Sequence, residues 1–514
     1  MDMPVRRFEM TTMPRVAAIV VLATAATLSG CAADEPESEI TTLRIGTSPA
    51  EMVANWDLVT SANNTSTAKP MYESLFGWAP GGNYVPVLAT GYEVTDDWRT
   101  VTITLRDGVR FSDGEPLTAK GVKTYLDGVS LEEGWWMKSY WDPYSPVVTV
   151  VDDLTFEISS ETSFGDSRSS FFSNFFVSLA IPSPAVLDDL AAAADAPVGS
   201  GPYLVEEVAT DVSLTLTKNP DYWDPDSFPF ERVEFLRFDD EFAALNALQA
   251  GQIDATELGV GLAVQARDLG FTLSTGVPLP YGIMVLDRQG SIVPALADHR
   301  VREAIALAFD REAINETINQ GFGDPSTQAF DPGTPEYVEG GDVLYPYDPD
   351  RARELMAEAG YADGFDVTMP STPFVSIDQF DPVVQQSLAD IGIRVTFEKF
   401  SDVGAYFTAV LAAEFPLAMY PGGEQLIWLN FLPDGVLNPF KIEDATIDRL
   451  WTIVQGPTDQ AAVDEAYDEL GVYIHEEAFY PGITARSRIW ASREGLEVDL
   501  TGVVPFLGSF HVTE

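Results

Sequence analysis

The chain has 514 residues, 80 of them acidic and 29 basic, for a formal net charge of −51. That balance excludes a nucleic-acid binder, because phosphate neutralisation needs clustered Lys and Arg. It fits a well-solvated acidic surface, or a field that draws in cationic ligands.

Arg6, Arg7 and Arg15 precede an apolar stretch from Val16 to Leu28 that is too short for a stable membrane span. A basic start, a short apolar core and small residues before the cut predict a secretory signal over 1–30. Glu9 after Arg6-Arg7 fits twin-arginine export poorly, and a start at Met10 or Met13 removes that pair. Leu28-Ser29-Gly30-Cys31 resembles the bacterial lipobox, which implies lipid on the Cys31 thiol and tethering at the outer face of the cytoplasmic membrane. One acyl chain binds membranes marginally and two anchor stably. Cys31 is the only cysteine, so its lipidation leaves no disulfide, no cysteine metal site and no cysteine nucleophile. Residues 31–42, with Asp34, Glu35, Glu37 and Glu39, read as a flexible tether. Roughly 480 residues follow, enough for two or three well-filled domains.

Leu43-Arg44-Ile45-Gly46 opens the first strand. Val101, Ile103 and Leu105 alternate with polar residues, the period of a half-buried strand. Asp107-Gly108 signals a hairpin, and Phe111-Ser112-Asp113-Gly114 a second turn. Thr118 is placed to cap a helix with Val122, Tyr125 and Val129 on one face. Trp135, Trp136, Tyr140, Trp141 and Tyr144 then crowd one stretch, either a satellite core or a stacking surface. Asp240 caps a helix with Phe242, Leu245 and Leu248 inward, stopped by Gly251. Residues 298–320 carry helical pattern with Asp310 as a second cap. Asp348-Pro349 starts a helix that Gly360 ends, because proline lacks only an amide that is unpaired there. Asp381-Pro382 repeats the device, and Gly392 leads into a strand over 393–397. Helices and strands alternate throughout, so the fold class is α/β, in a mixed α+β arrangement.

Five blocks in order carry a resemblance. Leu88 to Asp97 leads into Leu105-Arg106-Asp107-Gly108-Val109-Arg110-Phe111 and on to Asp113-Gly114-Glu115-Pro116-Leu117-Thr118-Ala119-Lys120. Gly199-Ser200-Gly201-Pro202-Tyr203 precedes Asn219-Pro220-Asp221-Tyr222-Trp223. Ala244 to Asp254, Asp298 to Ile314, and Tyr347 to Tyr361 complete the series. The chain thereby resembles the peptide/nickel/oligopeptide class of ABC-transporter solute-binding proteins. The resemblance implies a two-lobed periplasmic-binding-protein-like fold with a hinge-lined cleft and an ABC permease as partner. Lobe one is expected over 43–276, with an extra subdomain at about 75–198. Lobe two is expected over 277–480, and 481–514 return to lobe one. The crossovers fall near Gly276 to Tyr281 and near Phe479 to Arg486.

Catalysis finds little support. The three histidines, His299, His475 and His511, form no pair at metal spacing. There is no Walker loop and no Gly-x-Ser-x-Gly elbow. No metal or cofactor is expected, and an extracellular hydrolase is the remote alternative.

For the ligand, the resemblance points to Trp56 and Asn63 after the first strand, and to Tyr281 and Met284 at the first crossover. It also points to Tyr420, Glu424, Gln425 and Trp428 in lobe two. Trp56 and Trp428 suit stacking walls, Asn63 and Gln425 hydrogen bonding, and Glu424 a cation. Peptide binders of the class place an aspartate in the lobe-two segment to meet the free amine. Here Met419-Tyr420-Pro421-Gly422-Gly423-Glu424 has none, so Glu424 or Asp434 substitutes, or the ligand lacks an amine. A short peptide is the expected solute; an oligosaccharide, opine, haem or nickel chelate is the alternative.

Overall fold

The computed structural model describes residues 41–513 apart from 50–51, 53–55, 62–64, 80–82, 96, 166–169, 424–425, 434, 436, 457–459 and 501–506. The side chains of 78, 79, 83, 170, 374–376, 403, 427, 428 and 460 are likewise outside the description. Cys31, the leader and the tether as far as residue 40 lie outside it too.

Leu43 and Ile45 are buried and Arg44 is half-buried, so the first strand, Thr42–Thr47, alternates as a covered sheet strand should. It pairs in parallel with Arg232–Arg237 on one side and Ala255–Glu257 on the other. The full order is Thr272–Thr275, Ile489–Ser492, Ala255–Glu257, Thr42–Thr47, Arg232–Arg237, Ser213–Lys218, Tyr203–Ala209. Gly46 sits where a side chain has no room: a Cβ there would lie 2.6 Å from Ile253 Cδ1.

A four-stranded antiparallel sheet, Ala89–Val94, Thr100–Leu105, Thr155–Ser159 and Val147–Val150, occupies the region expected for the extra subdomain. Val101, Ile103 and Leu105 are buried, as their alternation predicts. The helix Ala119–Val129 buries Val122, Tyr125 and Val129, and Thr118 Oγ1 accepts the Gly121 amide at 3.0 Å. Asp107-Gly108 turns the chain without making a hairpin, because Thr100–Leu105 pairs with the preceding strand Ala89–Val94 and with Thr155–Ser159, not with the segment that follows the turn. The reversal comes at the next turn, where the Phe111 amide reaches Glu115 O at 2.9 Å.

The second main sheet has the order Gly323–Asp324, Gly482–Arg486, Leu279–Val285, Leu417–Pro421. Next to it runs the parallel pair Phe365–Ser371 and Ile393–Lys399. Two apolar clusters pack on this sheet, one around Ile283, Phe309, Phe380 and Ile393, the other around Met284, Phe431, Ile474 and Phe479. Two others serve the seven-stranded sheet. The C-terminal strands Leu496–Val498 and Phe510–Val512 pair, and Leu496, Val498 and Phe510 join the first of those two.

The chain leaves the seven-stranded sheet after Thr275 and enters the second at Leu279; it returns between Arg486 and Ile489. The return therefore falls after Arg486 and not at the expected 481. Pairing of Gly482–Arg486 with Leu279–Val285 and Gly323–Asp324 keeps those residues in the second sheet.

Two local expectations are corrected. Phe242 is 63% exposed although Leu245 and Leu248 of its helix are buried. At 100° per residue it lies about 140° from the centre of the stripe formed by Ala244, Leu245, Ala247 and Leu248. Asp381 does not cap its helix: its carboxylate accepts Ser371 Oγ at 2.6 Å and pairs with Lys399, and the preceding Phe380 holds the cap position. Asp240, Asp310 and Asp348 do cap, accepting the amides of Ala243, Ala313 and Arg351.

Candidate functional site

The two crossings run side by side, joined by the Gly276 amide on Arg488 O at 3.1 Å. An arginine stands on each side of the returning segment. Arg488 faces the seven-stranded sheet, its Nε 2.8 Å from Glu257 Oε1 and its Nη2 on Oε2. That fork-to-fork pairing uses the planar match of guanidinium and carboxylate. Arg486 faces the second sheet. Its Nη1 donates to Gln379 Oε1 at 3.1 Å, and its guanidinium lies 5.1 Å from the Tyr281 ring and 5.6 Å from Phe380. Those rings stack at 5.6 Å and 29°. Ser487, between the two arginines, donates its amide to Phe322 O at 3.1 Å.

Tyr281 and Tyr420 come together here, because Leu279–Val285 and Leu417–Pro421 are antiparallel neighbours with Tyr281 opposite Pro421 and Gly282 opposite Tyr420. Tyr281 is buried. Tyr420 is half-buried, burial pushes its phenol up to about 12, and its carbonyl accepts Tyr480 Oη at 2.6 Å. Met284, three residues on, is fully buried in an apolar cluster. Trp56 belongs to the cluster of the other sheet, is fully buried, and its indole N–H has no hydrogen-bond partner among the described residues. Asn63, Glu424 and Gln425 lie outside the described residues. Trp428 has its backbone in the helical turn Ile427–Phe431, and its side chain is outside the description. The segment before it is tightly held: a Cβ on Gly422 would sit 2.3 Å from Ala329 O.

The aromatic stretch is a packing feature. Trp135 is 2% and Trp141 6% exposed, in edge contact at 5.5 Å, and Trp141 stacks towards Phe171. His299 and His475 bind the carbonyls of Glu476 and Gly341, and burial lowers the His475 pKa. Among the described residues, no group of three His, Cys, Asp or Glu side chains is placed to hold a metal, and no helix is long and apolar enough to cross a membrane.

Sequence reasoning missed Arg486, Arg488 and the Ser371–Asp381–Lys399 cluster. It also missed Glu73, which accepts Ser200 Oγ, Tyr222 Oη and Trp223 Nε1. The signal was half present: those three donors lie in blocks already singled out, and only their acceptor was not.

Residues 83–441 match the family described as Bacterial extracellular solute-binding proteins, family 5 Middle. The chain is 31% identical over 349 residues to a protein named Glutathione-binding protein GsiB of Salmonella paratyphi A, and 29% over 346 residues to its namesake of Escherichia coli O1:K1 / APEC. Each match spans 65% of this chain and 65% of the relative's length. In three dimensions, the ABC transporter substrate binding protein CtaP of Listeria monocytogenes aligns with a TM-score of 0.78 at 22% identity, over 92% of this chain and 100% of that one. The periplasmic binding protein DppA of Helicobacter pylori, in complex with peptide STSA, aligns at 0.73 and 21%, over 92% and 98%. The fold is therefore the mixed α/β fold of these binding proteins. The family match covers most of the chain, and the protein belongs to family 5 of the extracellular solute-binding proteins of ABC transporters, a family that binds and does not catalyse.

Proposed function

We propose that this protein captures a short peptide between its two lobes and hands it to an ABC permease, while a lipid on Cys31 tethers it outside the cytoplasmic membrane. The observation that carries the peptide reading is the similarity to relatives named for binding glutathione, itself a tripeptide. The adjacent crossings support closure. Two short neighbouring connections let each sheet move with its own core, as hinge closure requires. Backbone hydrogen bonds can hold peptides with little regard to side chains. Glu424 is the partner assigned to a free amine, with Trp428 as an apolar wall.

Native mass spectrometry of protein purified from its own host, without refolding, tests the ligand. A peptide reading expects a heterogeneous mass increment that fragments into amino-acid residues, and weaker binding of free-amine peptides, but not N-acetylated ones, in Glu424→Gln. A hexose series lost in Trp428→Ala but kept in Glu424→Gln replaces peptide by carbohydrate. For the tether, Cys31→Ser moves the protein from the membrane fraction to the medium or leaves it unprocessed. A mature wild-type protein without lipid mass, soluble without detergent, ends that part of the reading.

A further inference from the structure

Glu73 is 8% exposed, just ahead of the strand Phe76–Ala79. One carboxyl oxygen takes Tyr222 Oη at 2.8 Å and the other Ser200 Oγ at 2.8 Å. Trp223 Nε1 lies 3.2 and 3.1 Å from the two. These donors come from different parts of the fold. Ser200 precedes the edge strand Tyr203–Ala209 of the seven-stranded sheet, and Tyr222 and Trp223 follow Ser213–Lys218 of the same sheet. Over the face of the Trp223 ring lies the Arg106 guanidinium, 4.0 Å from the centroid. Arg106 follows Thr100–Leu105 of the four-stranded sheet and is fixed there by its Nε on Val87 O at 2.8 Å. The carboxyl therefore sits where the two sheets meet.

Space around it is fixed by backbone. A Cβ on Gly199 would fall 2.0 Å from Met71 O, and one on Gly201 2.3 Å from Pro70 O. The segment bearing Ser200 is thus pressed against the segment bearing Glu73, and neither can give way alone.

A buried carboxylate needs a counter-charge or ample hydrogen bonding to stay ionised. Here three uncharged donors surround it, and among the described residues the cation that bears on it, Arg106, stands over the Trp223 ring rather than against the carboxyl. Among the described residues, the titratable group in hydrogen-bond contact with it is Tyr222, whose phenol is pushed up by burial first and then by the charges of Glu73 and, beyond it, Asp224.

We propose that Glu73 is a proton-operated latch between the four-stranded and seven-stranded sheets: protonated, it seats without charge, its O–H donating to the Ser200 or Tyr222 hydroxyl, which turns from donor to acceptor; ionised, its buried charge loosens the join. Burial raises the carboxyl to about 7, against the lowering effect of Ser200, Tyr222, Trp223 and Arg106. The sign follows. Below about pH 4.5 folded and unfolded chains both hold the proton. Between 4.5 and 7 the unfolded chain releases it and the folded chain does not, so stability falls as pH rises and levels off above 7.

The test compares melting temperatures of the wild-type protein and Glu73→Gln from pH 4.5 to 8, with hydrogen exchange of residues 89–105 at both ends. The wild type loses roughly 3 °C more than the variant over this range. Its amides in 89–105 exchange faster at pH 8, after correction for intrinsic rates, and those of Glu73→Gln do not. Parallel melting profiles, or equal exchange behaviour, overturn the latch. Should Glu73→Gln fail to fold, Arg106→Gln keeps the carboxyl and its three donors, and moves the wild-type transition to higher pH; an unmoved transition overturns the latch equally.

Discussion

Glu73 at the seven-stranded sheet and Arg311 at the second sheet are buried to a similar degree, 8% and 7% exposed, yet their charges are met by opposite means. Glu73 is an acceptor, and its partners are the side chains of Ser200, Tyr222 and Trp223. Arg311 is a five-donor fork, and its partners are backbone carbonyls. Its Nε reaches Gly482 O at 2.9 Å, Nη1 reaches Tyr345 O at 2.9 Å and Phe309 O at 3.3 Å, and Nη2 reaches Ala306 O at 2.7 Å. Carbonyls do not titrate and survive substitution of the residues that carry them. Burial lowers Arg311 only to about 10, so it stays charged across the range where Glu73 changes state. One seat is insensitive to pH and to neighbouring side chains; the other depends on both.

That contrast can be broken most severely at Arg311. Arg311→Met leaves four buried carbonyls short of a donor, and a loss of about 4 kcal/mol is expected in urea unfolding. Its pH profile between 4.5 and 8 stays parallel to that of the wild type; a flattened profile would erase the difference between the two seats. Glu73→Ala strands three side-chain donors and loses about 3 kcal/mol at pH 5. The same substitution loses less at pH 8, because there the wild type bears the cost of the buried charge. Tyr222→Phe removes one donor and loses about 1.5 kcal/mol, with the Glu73 transition moved upward. A Tyr222→Phe protein whose Tm profile matches the wild type would mean that this hydroxyl does not sense the carboxyl. Smallest is Arg488→Gln. Arg488 and Glu257 are 29% and 40% exposed in their side chains, so screening limits the loss to below about 1 kcal/mol. Its effect is expected in small-angle scattering, as a change in the ligand-free radius of gyration.

What could be read from the sequence follows from how far each interaction reaches. Thr118, Asp240, Asp310 and Asp348 cap within one turn, so residue type and spacing suffice. Asp381 looked identical to Asp348 and behaved differently, because Ser371 and Lys399 compete for its carboxylate from strands on either side in sequence. Glu73 was passed over because its donors lie 127 to 150 residues away. Of the cleft candidates, Tyr281 and Tyr420 became neighbours through strand register, which no local pattern encodes. The blocks that betrayed the family turned out to hold the framework, with Ser200, Tyr222 and Trp223 around one carboxyl, and they say little about the solute.

The hydrogen bond between Gly276 and Arg488 has a topological consequence. Thr275 is opposite Ile489 in an antiparallel pair, so to the seven-stranded sheet everything in between is the connection of a single hairpin. The entropy of closing such a connection grows only with the logarithm of length, about 0.6 kcal/mol for each doubling, so a change in the size of the second half adds little to the cost. The second half is thus a cassette with its two ends side by side. Exchanging it for a different cassette, or for a two-residue turn, would leave the strand pairing of the first half in register.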